Sequence, residues 1–190
     1  MVLFAIVGEL GAGKTLTLTY LAYINHLKGR KIFANYRLYG IPFVPVKSLE
    51  ELDAIRKGFC AFDELWIWLD ARASGTKKNR IVSNILARSR KRGLTIAFTT
   101  QTLRQVDRRI REVIDFVAYP ILNRNNTICT VLVFMGQKMK ILQHKFRFLT
   151  APIFRMYDTE EEVGDLEEFR TEEEKPKVEL KEVFYPPRQI

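Results

Sequence analysis

The chain has 190 residues, of which 47% are hydrophobic and 28% charged, with a formal net charge of +9. That length holds one domain with a sizeable core rather than two, and the composition excludes a disordered chain or a fibre. The only cysteines, Cys60 and Cys129, each sit inside an apolar run, which excludes a disulfide framework or a cysteine metal cluster and fits buried thiols in a reducing compartment.

In chain order, VLFAIV from Val2 to Val7 reads as a buried strand, and LTLTYLAYINHLKGR as a helix ending near Gly29. KIFAN, ending at Asn35, is a second strand. SLEELDAIRKG is a helix closed by Gly58, and FCAFDE a third strand with acids at its end. NRIVSNILARSRKRG then reads as a helix, LTIAFTTQ as a strand, VDRRIREVI as a short helix and DFVAYPIL as a strand. Strands separated by helices imply parallel pairing with helices on both faces. TICTVLVF and MKILQHKFRFL alternate in the manner of an antiparallel hairpin, with Met135 to Lys138 as the turn. The fold class is therefore α/β: a three-layer sandwich on a mostly parallel sheet, with a C-terminal antiparallel hairpin.

Charge divides the chain. Residues 1–157 hold 26 Lys and Arg against 10 Asp and Glu, whereas 158–190 hold 5 against 12. The second stretch is predicted to be an acidic tail with one helix near Glu160 to Phe169, either a solvated appendage or a docking arm for a neighbouring subunit. No apolar run reaches the ~20 residues that span a bilayer, and Met1 to Val7 lacks the pattern of a signal peptide. A cytoplasmic protein without stable membrane insertion is expected.

Between the first strand and first helix lies GELGAGKT, Gly8 to Thr15, which satisfies the phosphate-binding loop pattern in the context that pattern requires. Its backbone from Gly8, Glu9, Leu10, Gly11, Ala12 and Gly13 through Lys14, Thr15 and Leu16 is the candidate cradle for the phosphates of ATP. Lys14 would reach the β- and γ-phosphates, and the Thr15 hydroxyl would ligate Mg²⁺. FCAFDE supplies the second half: Asp63 as the acid of the metal shell, and Glu64 as the group that activates a water. Thr99, Thr100 and Gln101, at the end of LTIAFTTQ, are suited to contact the γ-phosphate or that water. Upstream, ILARSRKRG crowds Arg88, Arg90, Lys91 and Arg92 into one helix, too many for one face. His26 and His144 are single and carry no catalytic or metal role.

GELGAGKT, FCAFDE and ILARSRKRGLTIAFTTQTLRQVDRRIREVIDFV resemble the FtsK/HerA-type branch of RecA-like P-loop motor ATPases, which includes viral genome-packaging enzymes, over Met1 to Tyr119. The chain is also similar to the related Zot-like assembly proteins, in KIFAN and in its compact size. The resemblance implies a homo-oligomeric ring, usually a hexamer, in which an arginine completes the neighbour's site. On that pattern the trans arginine is Arg90, with Arg88 and Arg92 as alternatives.

A polyanionic partner fits the charge. From Arg72 to Arg111 there are 12 Lys and Arg and only Asp107 as an acid, a stretch able to neutralise the phosphates of double-stranded DNA without reading its bases. ARASGTKKNR within it is either a ring's pore loop or a solvated surface loop. Trp66 and Trp68 suit core or interface packing better than stacking on bases. The expected function is an ATP-hydrolysing DNA translocase, with capsid proteins as further partners. The alternative is a Zot-like assembly or secretion ATPase. A small-molecule kinase is disfavoured by Glu64 and Gln101.

Overall fold

The computed structural model describes residues 2–65, 93–136, 138–158 and 180–188. Its strands are β1 (Val2–Val7), β2 (Ile32–Ala34), β3 (Val44–Pro45), β4 (Gly58–Phe62), β5 (Leu94–Thr100), β6 (Phe116–Leu122), β7 (Ile128–Met135) and β8 (Lys138–Leu149). Its helices are α1 (Lys14–Leu27), α2 (Leu49–Ala54), α3 (Arg108–Arg111) and α4 (Thr150–Phe154), with a 3-10 turn at Leu103–Gln105. All strands join one sheet in the order β3-β2-β4-β5-β1-β6-β7-β8. The first six run parallel, and β7 and β8 close the sheet as an antiparallel hairpin.

The period of two along each strand divides the apolar residues between two cores. Leu3, Ala5 and Val7 of β1, Cys60 and Phe62 of β4 and Ile96 and Phe98 of β5 face one side, with Leu52, Val106, Ile110 and Ile114 packed over them. Ile6, Ala61 and Ala97 face the other, beneath Leu16, Leu18 and Ala22 of α1. Toward the hairpin, the Tyr20 ring of α1 stacks on Phe148 at 4.0 Å and 4°. Burial on both faces explains why the parallel strands read as unbroken apolar runs, whereas β7 alternates buried and open positions.

Helix ends follow local chemistry. Ser48 and Glu51 form a reciprocal capping box at the start of α2. Asp107 caps α3, which is shorter than VDRRIREVI predicts, because the chain straightens at Ile114 and Asp115 to enter β6. Among the described residues three elements have no counterpart in the sequence reading: the two-residue edge strand β3, where Pro45 is tolerated, the 3-10 turn at Leu103–Gln105, and α4 after the hairpin.

Within the predicted acidic tail, residues 180–188 dock on the body of the fold rather than standing off it as a solvated appendage. Phe43 and Val183 exchange backbone hydrogen bonds of 2.9 and 2.7 Å, and Gly40 N donates to Tyr185 O at 2.7 Å. The Tyr185 ring lies against Tyr39 and Phe43, and Arg188 pairs with Asp158 at 3.1 Å. Val183, Phe184 and Tyr185 are an apolar trio in an otherwise acidic stretch, and the average composition hides them. The predicted helix near Glu160 to Phe169, the helix from Asn79 to Gly93 as far as Arg92, the loop ARASGTKKNR, Trp66 and Trp68 lie outside the described residues.

Candidate nucleotide-binding site

The loop after β1 turns into α1 through glycine conformations. Gly13 occupies the N-cap position with φ +91°, left-handed backbone that a side chain would strain, and an added Cβ would lie 3.3 Å from Leu122. At Gly8 a Cβ would stand 2.9 Å from the Ala12 Cβ, so the two arms of the loop meet only because Gly8 has none. Ala12 N donates to Glu9 O at 3.2 Å to close the turn. Nothing in α1 competes for its positive end: no side chain caps it, and its first turn carries no acid. Those are the conditions under which a helix N-terminus attracts an anion. Lys14 is 7% exposed and arches back over the loop, its Nζ donating to Glu9 O at 3.0 Å.

The acids arrive from β4. Because β5 lies between β1 and β4, and Phe62 is level with Phe98, Asp63 emerges beside Thr99 and across from the loop. Thr15 Oγ1 donates to Asp63 Oδ2 at 2.9 Å, and Thr99 Oγ1 donates to Asp63 Oδ1 at 2.5 Å. Thr99 Oγ1 also accepts from Glu64 N at 2.7 Å. From β2, Asn35 Nδ2 donates to Asp63 O at 2.8 Å, and Asn35 Oδ1 accepts from Asp63 N at 2.7 Å. Glu64 has φ +48°, left-handed backbone just past the strand end. Burial pushes the Asp63 carboxyl above its ordinary range, opposed by the Thr99 and Thr15 hydrogen bonds and the Lys14 charge. Glu64 is raised as well, by burial and by the Asp63 charge, with Lys14 opposing.

Thr15 and Asp63 converge through hard oxygen donors, the chemistry Mg²⁺ prefers. Among the described residues no group of three or more His, Cys, Asp and Glu is placed to hold a metal. A site made of one carboxylate and one hydroxyl leaves the remaining positions to phosphate oxygens and water, the usual Mg²⁺ arrangement beside a nucleotide.

The structure thus brings Lys14, Thr15, Asp63 and Glu64 together. Leu16 has its side chain in the core and can offer only its backbone. Glu9 and Gly11 are exposed, and Leu10 is 88% exposed. Gln101 is exposed at the bend after β5. Thr99 and Thr100 depart from the expectation of a γ-phosphate contact: Thr99 is committed to Asp63 and Glu64, and Thr100 donates to Thr102 O at 3.0 Å. Both are fully buried, Thr99 beneath the two acids and Thr100 in the turn after β5, with their hydroxyls already engaged. Arg88 and Arg90 lie outside the described residues. Asn35 receives no role from any motif; a lone amide ending a strand was its one signal.

Residues 46–145, more than half of the chain, match the family described as Zot, zonular occludens toxin. The chain belongs to the Zot family. No curated protein matches the sequence. Among solved structures, this Zot-family chain is similar to the N-terminal domain of zonular occludens toxin from Neisseria meningitidis, at 19% identity and a TM-score of 0.60, covering 83% of this chain and 98% of that one. It is also similar to the genome packaging NTPase B204 from Sulfolobus turreted icosahedral virus 2. In the ATP-gammaS complex of B204 the identity is 10% and the TM-score 0.50, with 76% of this chain and 95% of that one covered; in the AMPPCP complex the TM-score is 0.51. At these identities the likeness establishes the fold, a mostly parallel P-loop NTPase sheet with an antiparallel C-terminal edge, as expected from the motifs. No helix among the described residues is long and apolar enough to cross a membrane.

Proposed function

We propose that the protein is an ATPase of virion morphogenesis that couples hydrolysis to the movement of double-stranded DNA, working in the cytoplasm as a homo-oligomeric ring. The observation that carries the ATPase is the hydrogen bond from Thr15 to Asp63, which joins the glycine loop to the acid-bearing strand. Thr15 and Asp63 would hold a Mg²⁺, which would supply charge neutralisation to the triphosphate. Backbone N–H groups of Gly8 to Leu16 and the Lys14 ammonium bind and orient the phosphates. Glu64, its carboxyl raised yet paired electrostatically with Lys14, accepts the proton of the attacking water, and Gln101 orients that water. The charge developing on the phosphates is met by Lys14 within the subunit and by Arg90 or Arg88 from a neighbour.

The excess of 26 bases over 10 acids in residues 1–157 supports DNA as the polymer, bound through its backbone without regard to sequence. The B204 likeness agrees in fold with a packaging motor, for which capsid proteins would be partners. The Zot-family match favours a second reading, in which the same site drives assembly or secretion of a particle. ATP turnover with and without duplex DNA, on wild type, Lys14→Ala and Glu64→Gln, separates these. Turnover lost in both variants and raised several-fold by DNA is expected of the translocase. Turnover indifferent to DNA supports the assembly reading, and turnover surviving in Lys14→Ala defeats both.

A further inference from the structure

Asn35 makes the two hydrogen bonds that hold the peptide groups of Asp63. A carboxamide carries the same donor and acceptor pair as a peptide group. Strand β2 ends at Ala34, paired with Ala61, and the Asn35 side chain adds one more rung beside the end of β4. Its orientation follows from the partners, since only the oxygen can face Asp63 N–H and only the amino group can face Asp63 O. What comes next in the chain is the turn that aims the acids. A non-glycine residue in the left-handed region is strained by ~1 kcal/mol or more and persists where its surroundings over-determine it. For Glu64 at φ +48°, Asn35 fixes the residue before it and Thr99 fixes its own N–H.

Resting on the ATPase reading above, we infer that Asn35 is a positioning residue: by clamping both peptide groups of Asp63 it holds that carboxylate beside Thr15 and sets the left-handed turn that aims Glu64. It acts only through the two acids. Its removal therefore weakens the metal-dependent part of nucleotide binding and the chemical step, and leaves the phosphate grip of the Gly8 to Thr15 loop in place. Asn35→Asp keeps the shape and the acceptor but sets an oxygen against Asp63 O, so it behaves like Asn35→Ala rather than like wild type.

The test uses the full chain as wild type, Asn35→Ala and Asn35→Asp. It measures kcat and KM for ATP, the Mg²⁺ concentration giving half-maximal binding of AMPPCP, AMPPCP affinity without metal, and the thermal midpoint. Loss of an outer partner of a metal-binding group typically lowers activity or metal affinity about 10–100-fold, so kcat should fall and the Mg²⁺ midpoint rise by about that factor in both variants. Metal-free affinity should stay within about threefold, since it reports binding made by the loop, whereas KM for ATP with Mg²⁺ should rise along with the Mg²⁺ midpoint, because both contain the metal-dependent part. An unchanged kcat and Mg²⁺ midpoint overturns the inference. So does a loss of metal-free affinity as large as the loss of kcat, which would mean that the whole site has collapsed. Where Asn35→Ala does not fold, Asn35→Asp decides; failure of both to fold makes the residue structural and also overturns it. Wild-type protein that binds AMPPCP without turning over ATP would reject the ATPase alone, and the Mg²⁺ midpoint would still decide the role of Asn35.

Discussion

Thr99→Val tests whether the hydroxyl between the two acids holds the site together. Thr99 is fully buried, and its Oγ1 serves two groups, the Asp63 carboxylate at 2.5 Å and the Glu64 N–H at 2.7 Å. Valine fills the same volume, so it opens no cavity, but it strands both partners. A hydrogen bond to a charged group contributes about 1.5–3 kcal/mol, and a buried N–H left without an acceptor costs about 1–3 kcal/mol. The extra apolar burial of valine offsets up to about 1 kcal/mol, leaving a net loss of about 2–5 kcal/mol. With a urea slope of about 2–3 kcal/mol/M for a chain of this size, the unfolding midpoint should drop by about 1–2 M. Thr99→Ser removes one methyl and keeps the hydroxyl, for a loss of about 1 kcal/mol and less than half that shift. Urea denaturation followed by circular dichroism ranks the two. A serine variant as unstable as the valine variant, or more so, would refute the reasoning, because packing rather than hydrogen bonding would then dominate at this position.

Tyr185→Ala should loosen the C-terminal segment: its ring packs on Phe43 and Tyr39 and lies under the Arg37 guanidinium at 5.1 Å. Amide exchange at Gly40, Phe43 and Val183 should accelerate at least tenfold, the effect of ~1.4 kcal/mol, while β1 amides are unchanged; equal acceleration everywhere would show that the segment is not a local unit. Burial raises the thiol of Cys60, with Arg30 opposing, and that of Cys129, with the Thr17 hydrogen bond opposing. Neither should react with a thiol reagent at pH 8 until urea unfolds the chain. Both folded values lie above the unfolded value near 9.0, so the linked stability is complete below that pH and is lost as pH rises beyond it. A urea midpoint that rises between pH 8 and pH 10 would contradict that sign.

The glycine loop proposed to hold phosphate was legible in the residues because its geometry is local. Glycines at 8, 11 and 13 dictate the turn whatever surrounds them, and the strand before and helix after are set by periodicity within a few residues. Asp63 and Glu64 were legible for a similar reason, as the polar end of a buried apolar run. Which side chains hold those acids was decided only by the order of strands. Thr99 meets Asp63 across 36 positions because β5 threads between β1 and β4, and Asn35 reaches it across 28 because β2 flanks β4 on the other side. Phe43 and Val183 pair across 140 positions for the same cause. Hydrogen bonds of this kind depend on distance in space, which sequence spacing does not encode. Charge and pattern therefore marked the loop and the acids, and only the assembled sheet made a site of them.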